Sequence, residues 1–299
     1  MSVPFMITRR QLISASVAAS IFGLPVKDAV ARQAEPVPYD TVTIGDRKIG
    51  YRSVGTGQPL VLIMGFAGTM DSWDPAFVAA LARNHQVVMF DNRGIGSSSQ
   101  TGNYAFANLA DDAVDLIDEL GFDTVDVFGW SLGGMVALDL ATRHGDRVRH
   151  LVAHAADPGG STAISGDTGS FFDFSASEEE QDELQLRLMF PEEWLEQHRD
   201  QAEAVFSRPH LPVSSQSVLL QANALLEWYR QEHVLRAISS PTLILHGTDD
   251  MVIPVGNAQL LADVIPDSWL VRLPGGHGLH YQLPDEMVTI INLFMNSAA

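Results

Sequence analysis

From residue 40 onward, short apolar runs alternate with stretches whose apolar residues recur at helical spacing. Residues 41–44 and 48–53 read as a strand pair turning at Gly45-Asp46. Residues 60–64 and 87–90 are continuous apolar runs, as expected of strands covered on both faces. Residues 125–128, 148–153, 242–246 and 269–273 also read as strands. Between them, residues 75–84 fit a helix with Asp74 as N-cap and Pro75 in the first turn. Residues 109–120 place Leu109, Ala113, Leu116, Ile117 and Leu120 on one helical face, which Gly121 ends. Further helices are expected over 132–144, 256–265 and 284–296.

This rhythm breaks once. Residues 157–170 are rich in Gly, Ser, Thr and Asp and read as loop. Residues 177–230 look helical without intervening strands: a capping box at Ser177–Glu180, a restart at Pro191 running to about 206, and a third stretch over 214–229. Strands alternating with helices predict an α/β fold, with a mostly parallel sheet flanked by helices. The helical block, taken as 157–238, is expected to be an inserted lid or cap. The core is then 32–156 plus 239–299. A lid in that place covers the carboxyl edge of the sheet, where open α/β sheets bind ligands.

The chemistry suggested by the sequence lies on that edge. Gly129-Trp130-Ser131-Leu132-Gly133 follows a predicted strand and opens a predicted helix. A strand turning sharply into a helix needs small residues around the apex, and such a turn pushes the serine hydroxyl out of the sheet. It also aims the Leu132 N–H, at the helix N-terminus, toward a developing oxyanion. The plainer reading is a structural glycine-rich turn; the flanking elements favour a nucleophile. A serine hydroxyl needs an adjacent base. His277, in the Gly-rich loop after the last predicted strand, is the best placed of ten histidines. His280 is its rival, and His246 reads as structural. His144, His150 and His154 read as surface or packing residues. Asp249 and Asp250 follow the strand at 242–246, so either carboxylate would complete the chain order Ser, Asp, His.

From about residue 40 to 297 the chain resembles the α/β-hydrolase superfamily in its esterase-like branch with a helical lid. Five segments carry the resemblance: residues 64–68, residues 91–97, the Ser131 turn, residues 247–254 and Gly276-His277. The resemblance implies that the acid is Asp250, the fourth residue of the G-x-x-D-x-x-[IV]-P pattern. It implies that the second oxyanion N–H belongs to Phe66, although Met64 stands where the family usually has His. It treats residues 91–97 as a structural loop near the entrance. The expected activity is cleavage of a carboxylic ester through an acyl-enzyme, with a small acyl compound as substrate. A cofactor-free haloperoxidase or perhydrolase, a lactonase, a carbon–carbon bond hydrolase and a non-catalytic ligand receptor remain alternatives on the same fold. Trp73, Phe66, Met135 and Trp130 line either an acyl pocket or the core, with core favoured for Trp130 and Met135. Phe171, Phe172 and Phe174 either line a substrate site or anchor the lid.

Composition narrows the partners. Eighteen basic and 37 acidic residues give a net charge of −19, which repels phosphate backbones and argues against nucleic acid. With no cysteine there is no disulfide and no thiolate site. No metal-binding pattern is recognisable, and no cofactor is expected. At the N-terminus, Arg9-Arg10 precedes a mildly apolar stretch and the small-residue run Ala29-Val30-Ala31. Residues 1–31 are therefore expected to be a twin-arginine-like signal directing the protein to the periplasm, with no membrane span left after cleavage. The sequence does not specify an oligomeric state.

Overall fold

A computed structural model of the chain describes residues 38–166, 177–206, 211–230 and 234–297. The proposed export signal, and Phe171, Phe172 and Phe174, lie outside the described residues. The core is an eight-stranded sheet: β1 (Asp40–Ile44), β2 (Arg47–Val54), β3 (Gln58–Ile63), β4 (His85–Phe90), β5 (Val125–Trp130), β6 (Val148–His154), β7 (Thr242–Gly247) and β8 (Trp269–Leu273). Spatially they run β1-β2-β4-β3-β5-β6-β7-β8. Only the β1–β2 and β2–β4 pairings are antiparallel. The helices are α1 (Pro75–Leu81), α2 (Phe106–Glu119), α3 (Leu132–Arg143), α4 (Glu178–Met189), α5 (Glu192–Phe206), α6 (Ser215–Arg230), α7 (Gly256–Val264), α8 (Leu279–Gln282) and α9 (Pro284–Ser297).

The central strands are apolar at consecutive positions because both sheet faces are covered. Val61 and Ile63 of β3, with Val125 and Val127 of β5, pack on one face against α2 and α3. The residues between and beyond them, Leu60, Leu62, Phe128 and Trp130, pack on the other with Phe77 of α1 and Met287, Ile291 and Phe294 of α9. Each fully buried side chain of this kind contributes about 1.5–3 kcal/mol. Local signals set the helix ends: Asp74 accepts the Phe77 N–H at 2.9 Å, and Ser177 and Glu180 form a reciprocal capping box. Helix α2 starts before the expected Leu109, at Phe106, whose ring packs on Trp228 of α6 with centroids 4.9 Å apart.

Helices α4, α5 and α6 follow β6 and precede β7. The last of them is tied to the sheet through Asp157, just past β6. Its carboxylate accepts the Trp228 indole N–H at 3.0 Å and the Tyr229 hydroxyl at 2.9 Å. The sheet register also aligns strand ends. Ile63 faces Gly129, Trp130 faces His154, His154 faces Leu245, and Gly247 faces Leu273. The chain therefore leaves β3, β5, β7 and β8 along one common edge.

Candidate active site

Ser131 sits at the apex between β5 and α3 with φ 56° and ψ −125°. A left-handed non-glycine residue costs about 1–2 kcal/mol, so something must hold it there. The turn is clamped from both sides. A Cβ on Gly133 would lie 2.0 Å from the Ile63 carbonyl oxygen, and one on Gly129 would lie 2.2 Å from the Gly133 carbonyl oxygen. Only glycine permits that approach. The Ser131 N–H donates to the His154 carbonyl at 2.9 Å, and the Ser131 carbonyl accepts from Gly134 and Met135. The Leu132 N–H belongs to the first helical turn, where no intrahelical carbonyl can take it.

The loop after β3 runs alongside. A Cβ on Gly65 would be 3.3 Å from Ser131 Cβ, so the 64–68 segment passes directly over the serine. Phe66 is half-buried there. Asn92 Nδ2 donates to the Met64 carbonyl at 3.0 Å, and Asp91 accepts from the Met70 and Ser97 N–H groups. The 91–97 segment thus buttresses this loop. Ala67 is left-handed at φ 56°, and its N–H donates to Gln221 Oε1 of α6 at 2.8 Å.

Asp250 and His277 meet on the adjoining stretch of the edge. His277 Nδ1 lies 2.8 Å from Asp250 Oδ2, with both residues buried. The other Asp250 oxygen, Oδ1, accepts the Val252 and Ile253 N–H groups at 2.9 and 2.8 Å. Burial alone would raise the Asp250 carboxyl. The charge of His277 and hydrogen bonds from His246 and His277 outweigh it and hold the group well below the usual carboxylate range. Asp249 is exposed, and its carboxylate instead accepts the Thr248 hydroxyl and the Gly275 N–H. His280 lies in α8 with its ring packed among Trp130, Trp73, Phe77 and Tyr281.

Sequence reasoning did not assign three contributors. Trp130 packs in the core but also donates its indole N–H to the His277 carbonyl at 3.0 Å, tying the histidine loop to the residue beside Ser131. His246 Nε2 lies 2.7 Å from the Ile253 carbonyl and 3.3 Å from Asp250 Oδ2. A carbonyl only accepts, so Nε2 carries the proton and lies against the acid as a second donor. Gln221 is the third. Trp130 and His246 had local signals, one inside the serine motif and one at the end of the strand before the acid; Gln221 had none. Among the described residues, no three His, Cys, Asp or Glu side chains gather as a metal-binding set.

A strained serine at a strand–helix turn, a helix N-terminus beside it and a histidine–carboxylate pair along the same edge form a candidate hydrolase constellation. Comparison with known proteins agrees with this architecture. Residues 58–284 match the family model described as the alpha/beta hydrolase fold. The protein named "Putative carbamate hydrolase RutD" from Caulobacter sp. (strain K31) is 31% identical over 258 residues, 81% of this chain and 92% of its own length. Serine hydrolase BPHL of Mus musculus is 26% identical over 289 residues, 91% of this chain and 94% of its own. A solved alpha/beta hydrolase fold protein from Chitinophaga pinensis superposes with a TM-score of 0.76 at 27% identity, covering 88% of this chain and 98% of that one. With the family model spanning most of the chain and a relative above 30% identity nearly matched end to end, this protein belongs to the α/β-hydrolase family.

Proposed function

We propose that the protein hydrolyses a carboxylic ester through an acyl-enzyme on Ser131. The observation that carries this reading is the 2.8 Å contact of His277 Nδ1 with Asp250, beside a serine held at φ 56°. With Nδ1 committed to the acid, the far nitrogen Nε2 is left as the base. In the first step the Ser131 Oγ–carbon bond forms and the hydroxyl proton passes to His277 Nε2. The Leu132 and Phe66 N–H groups stabilise the oxyanion. The bond to the leaving alcohol then breaks, and His277 returns its proton to the alcohol oxygen. In the second step water gives a proton to His277 Nε2 as its oxygen bonds to the acyl carbon; the Ser131 Oγ–acyl bond then breaks, His277 returns the proton to Ser131 Oγ, and the acid leaves. Asp250 stays ionised throughout and balances the imidazolium. A carbamate presents the same kind of acyl carbon, so the name of the Caulobacter relative is compatible with this machinery.

The test is burst kinetics with p-nitrophenyl butyrate together with fluorophosphonate labelling. The wild-type protein should release one equivalent of nitrophenol ahead of steady turnover and carry the label on Ser131. Ser131→Ala and His277→Ala should each lose turnover by at least about 10³-fold while remaining folded. A label on any other residue, or full turnover by Ser131→Ala, rejects the assignment. We further propose, from the sequence pattern, that residues 1–31 direct export. If replacing both Arg9 and Arg10 by Lys left periplasmic delivery intact, the twin-arginine reading would be wrong.

A further inference from the structure

The inward face of α6 is apolar along most of its length, through Val218, Ala224 and Trp228. Two buried polar residues, Ser217 and Gln221, interrupt it one turn apart. Ser217 is accounted for locally, since its hydroxyl bonds with the Ser214 hydroxyl at 2.9 Å. Gln221 is not. It is fully buried, and its side chain crosses from the inserted helix to the loop after β3. There Oε1 accepts the Ala67 N–H at 2.8 Å. That contact orients the amide, because only the oxygen can accept from an N–H. The amide nitrogen Nε2 is then a buried donor with no partner among the described residues. A buried donor left unmade costs about 1–3 kcal/mol. Ala67, which Gln221 holds, lies two residues past Gly65, where an added Cβ would be 3.3 Å from Ser131 Cβ.

We propose that Gln221 determines substrate specificity: Oε1 fixes the loop that carries the Phe66 N–H, and Nε2 donates to an acceptor oxygen within the acyl part of the substrate. This rests on the Ser131 acyl-enzyme reading. The acyl side follows from the chemistry of that reaction. The leaving alcohol must depart toward His277, which protonates it, while the scissile carbonyl oxygen points to the 64–68 loop. A donor attached to that loop therefore meets the acyl portion. The substrate class is an ester whose acyl chain bears an ether, keto or similar oxygen close to the scissile carbonyl.

The test compares p-nitrophenyl butyrate with p-nitrophenyl methoxyacetate. These acyl groups have the same length, with an ether oxygen replacing one methylene. Each kcat/KM is divided by the ester's rate with hydroxide, which removes intrinsic reactivity. Wild-type protein should then prefer methoxyacetate, and Gln221→Met should lower that preference about tenfold. The same variant should lower kcat on both esters and slow fluorophosphonate labelling, because the oxyanion loop loses its anchor. If Gln221→Met does not fold, Gln221→Leu carries the same comparison. A wild-type protein without the preference overturns the proposal whatever the variants do. So does a preference unchanged to within twofold in the variant. If neither ester is turned over and Ser131 takes no label, the acyl-enzyme reading and this proposal fall together. Turnover of both esters without preference removes only the Gln221 assignment.

Discussion

Ser131 and Ala67 share a φ of 56° and are held there in opposite ways. The serine is locked by the core. Glycines at 129 and 133 let α3 press against β3 and β5, and its own N–H is taken by His154 of the neighbouring strand. Asp250 and His277 belong to the same wall: Asp250 is gripped by two backbone N–H groups and two histidines, and the His277 loop is tied to Trp130. The alanine is held by one side chain reaching from an inserted helix. A left-handed residue costs about 1–2 kcal/mol in either place. Burial of one neighbour such as Phe128 offsets that at the serine. At Ala67 the main counterweight is a single partly buried hydrogen bond, worth about 1 kcal/mol. The Ser131 turn is therefore fixed by the core, while the 64–68 loop takes its geometry from an inserted helix.

The sharpest way to break the core wall is to remove its charge. Asp250→Asn should cut kcat by about 10³–10⁴-fold, because the amide cannot balance the imidazolium and can favour the wrong tautomer. Asp249→Asn should cost no more than a few-fold, since that carboxylate faces Thr248 and Gly275. Steady-state kinetics on one ester compares the two, and equal losses would remove Asp250 from its role.

Next in size is the clamp around the serine. Gly133→Ala places a methyl 2.0 Å from the Ile63 carbonyl oxygen. The strand and helix cannot both stay where they are, and a loss of at least about 3 kcal/mol is expected, read as a fall in Tm of roughly 10 °C. A Tm within about 2 °C of wild type would mean that the turn between β5 and α3 is loosely held.

A smaller effect comes from His154, which belongs to the same wall. Burial pushes it down to about 3, despite the partly opposing hydrogen bond to the Leu245 carbonyl. In the unfolded chain it titrates near 6.5. Between these values the unfolded state binds a proton that the folded state refuses. Stability from this group is thus complete above pH 6.5 and is lost as pH falls toward 3. Thermal melts across that range should decline less steeply for His154→Gln than for wild type, by the slope of one proton. Parallel profiles would assign the acid sensitivity elsewhere.

The smallest expected effect probes the loop held by the inserted helix. Ala67→Gly removes the left-handed penalty and should raise stability by about 1 kcal/mol or less, a rise in Tm of a few degrees. A fall in Tm would mean that the Ala67 methyl contributes more through packing than it costs in strain.

The central strands β3, β5 and β7 were legible as apolar runs covered on both faces, β1 and β2 through the turn between them, and the observed ends differ from the expected ones by at most two residues. The short helix α8 was not, because four residues carry no periodicity, and it is this helix that packs His280 among aromatic rings. Residues 177–230 were legible as helices through the capping box and Pro191, but which of their faces meets the site was not.

By itself, the sequence determined where the chain turns from β5 into α3 and that a serine stands at that turn, because the turn depends on neighbours within a few residues. It also set the chain order of Ser131, Asp250 and His277. Only the tertiary structure decided what each group touches. Asp250 rather than Asp249 meets His277, because the loops after β7 and β8 are brought side by side by strand pairing. Trp130 reaches His277 across 147 residues, and Gln221 reaches Ala67 across 154. Contacts at such separations follow from how the sheet edge and the inserted helices pack together, and no local pattern encodes them.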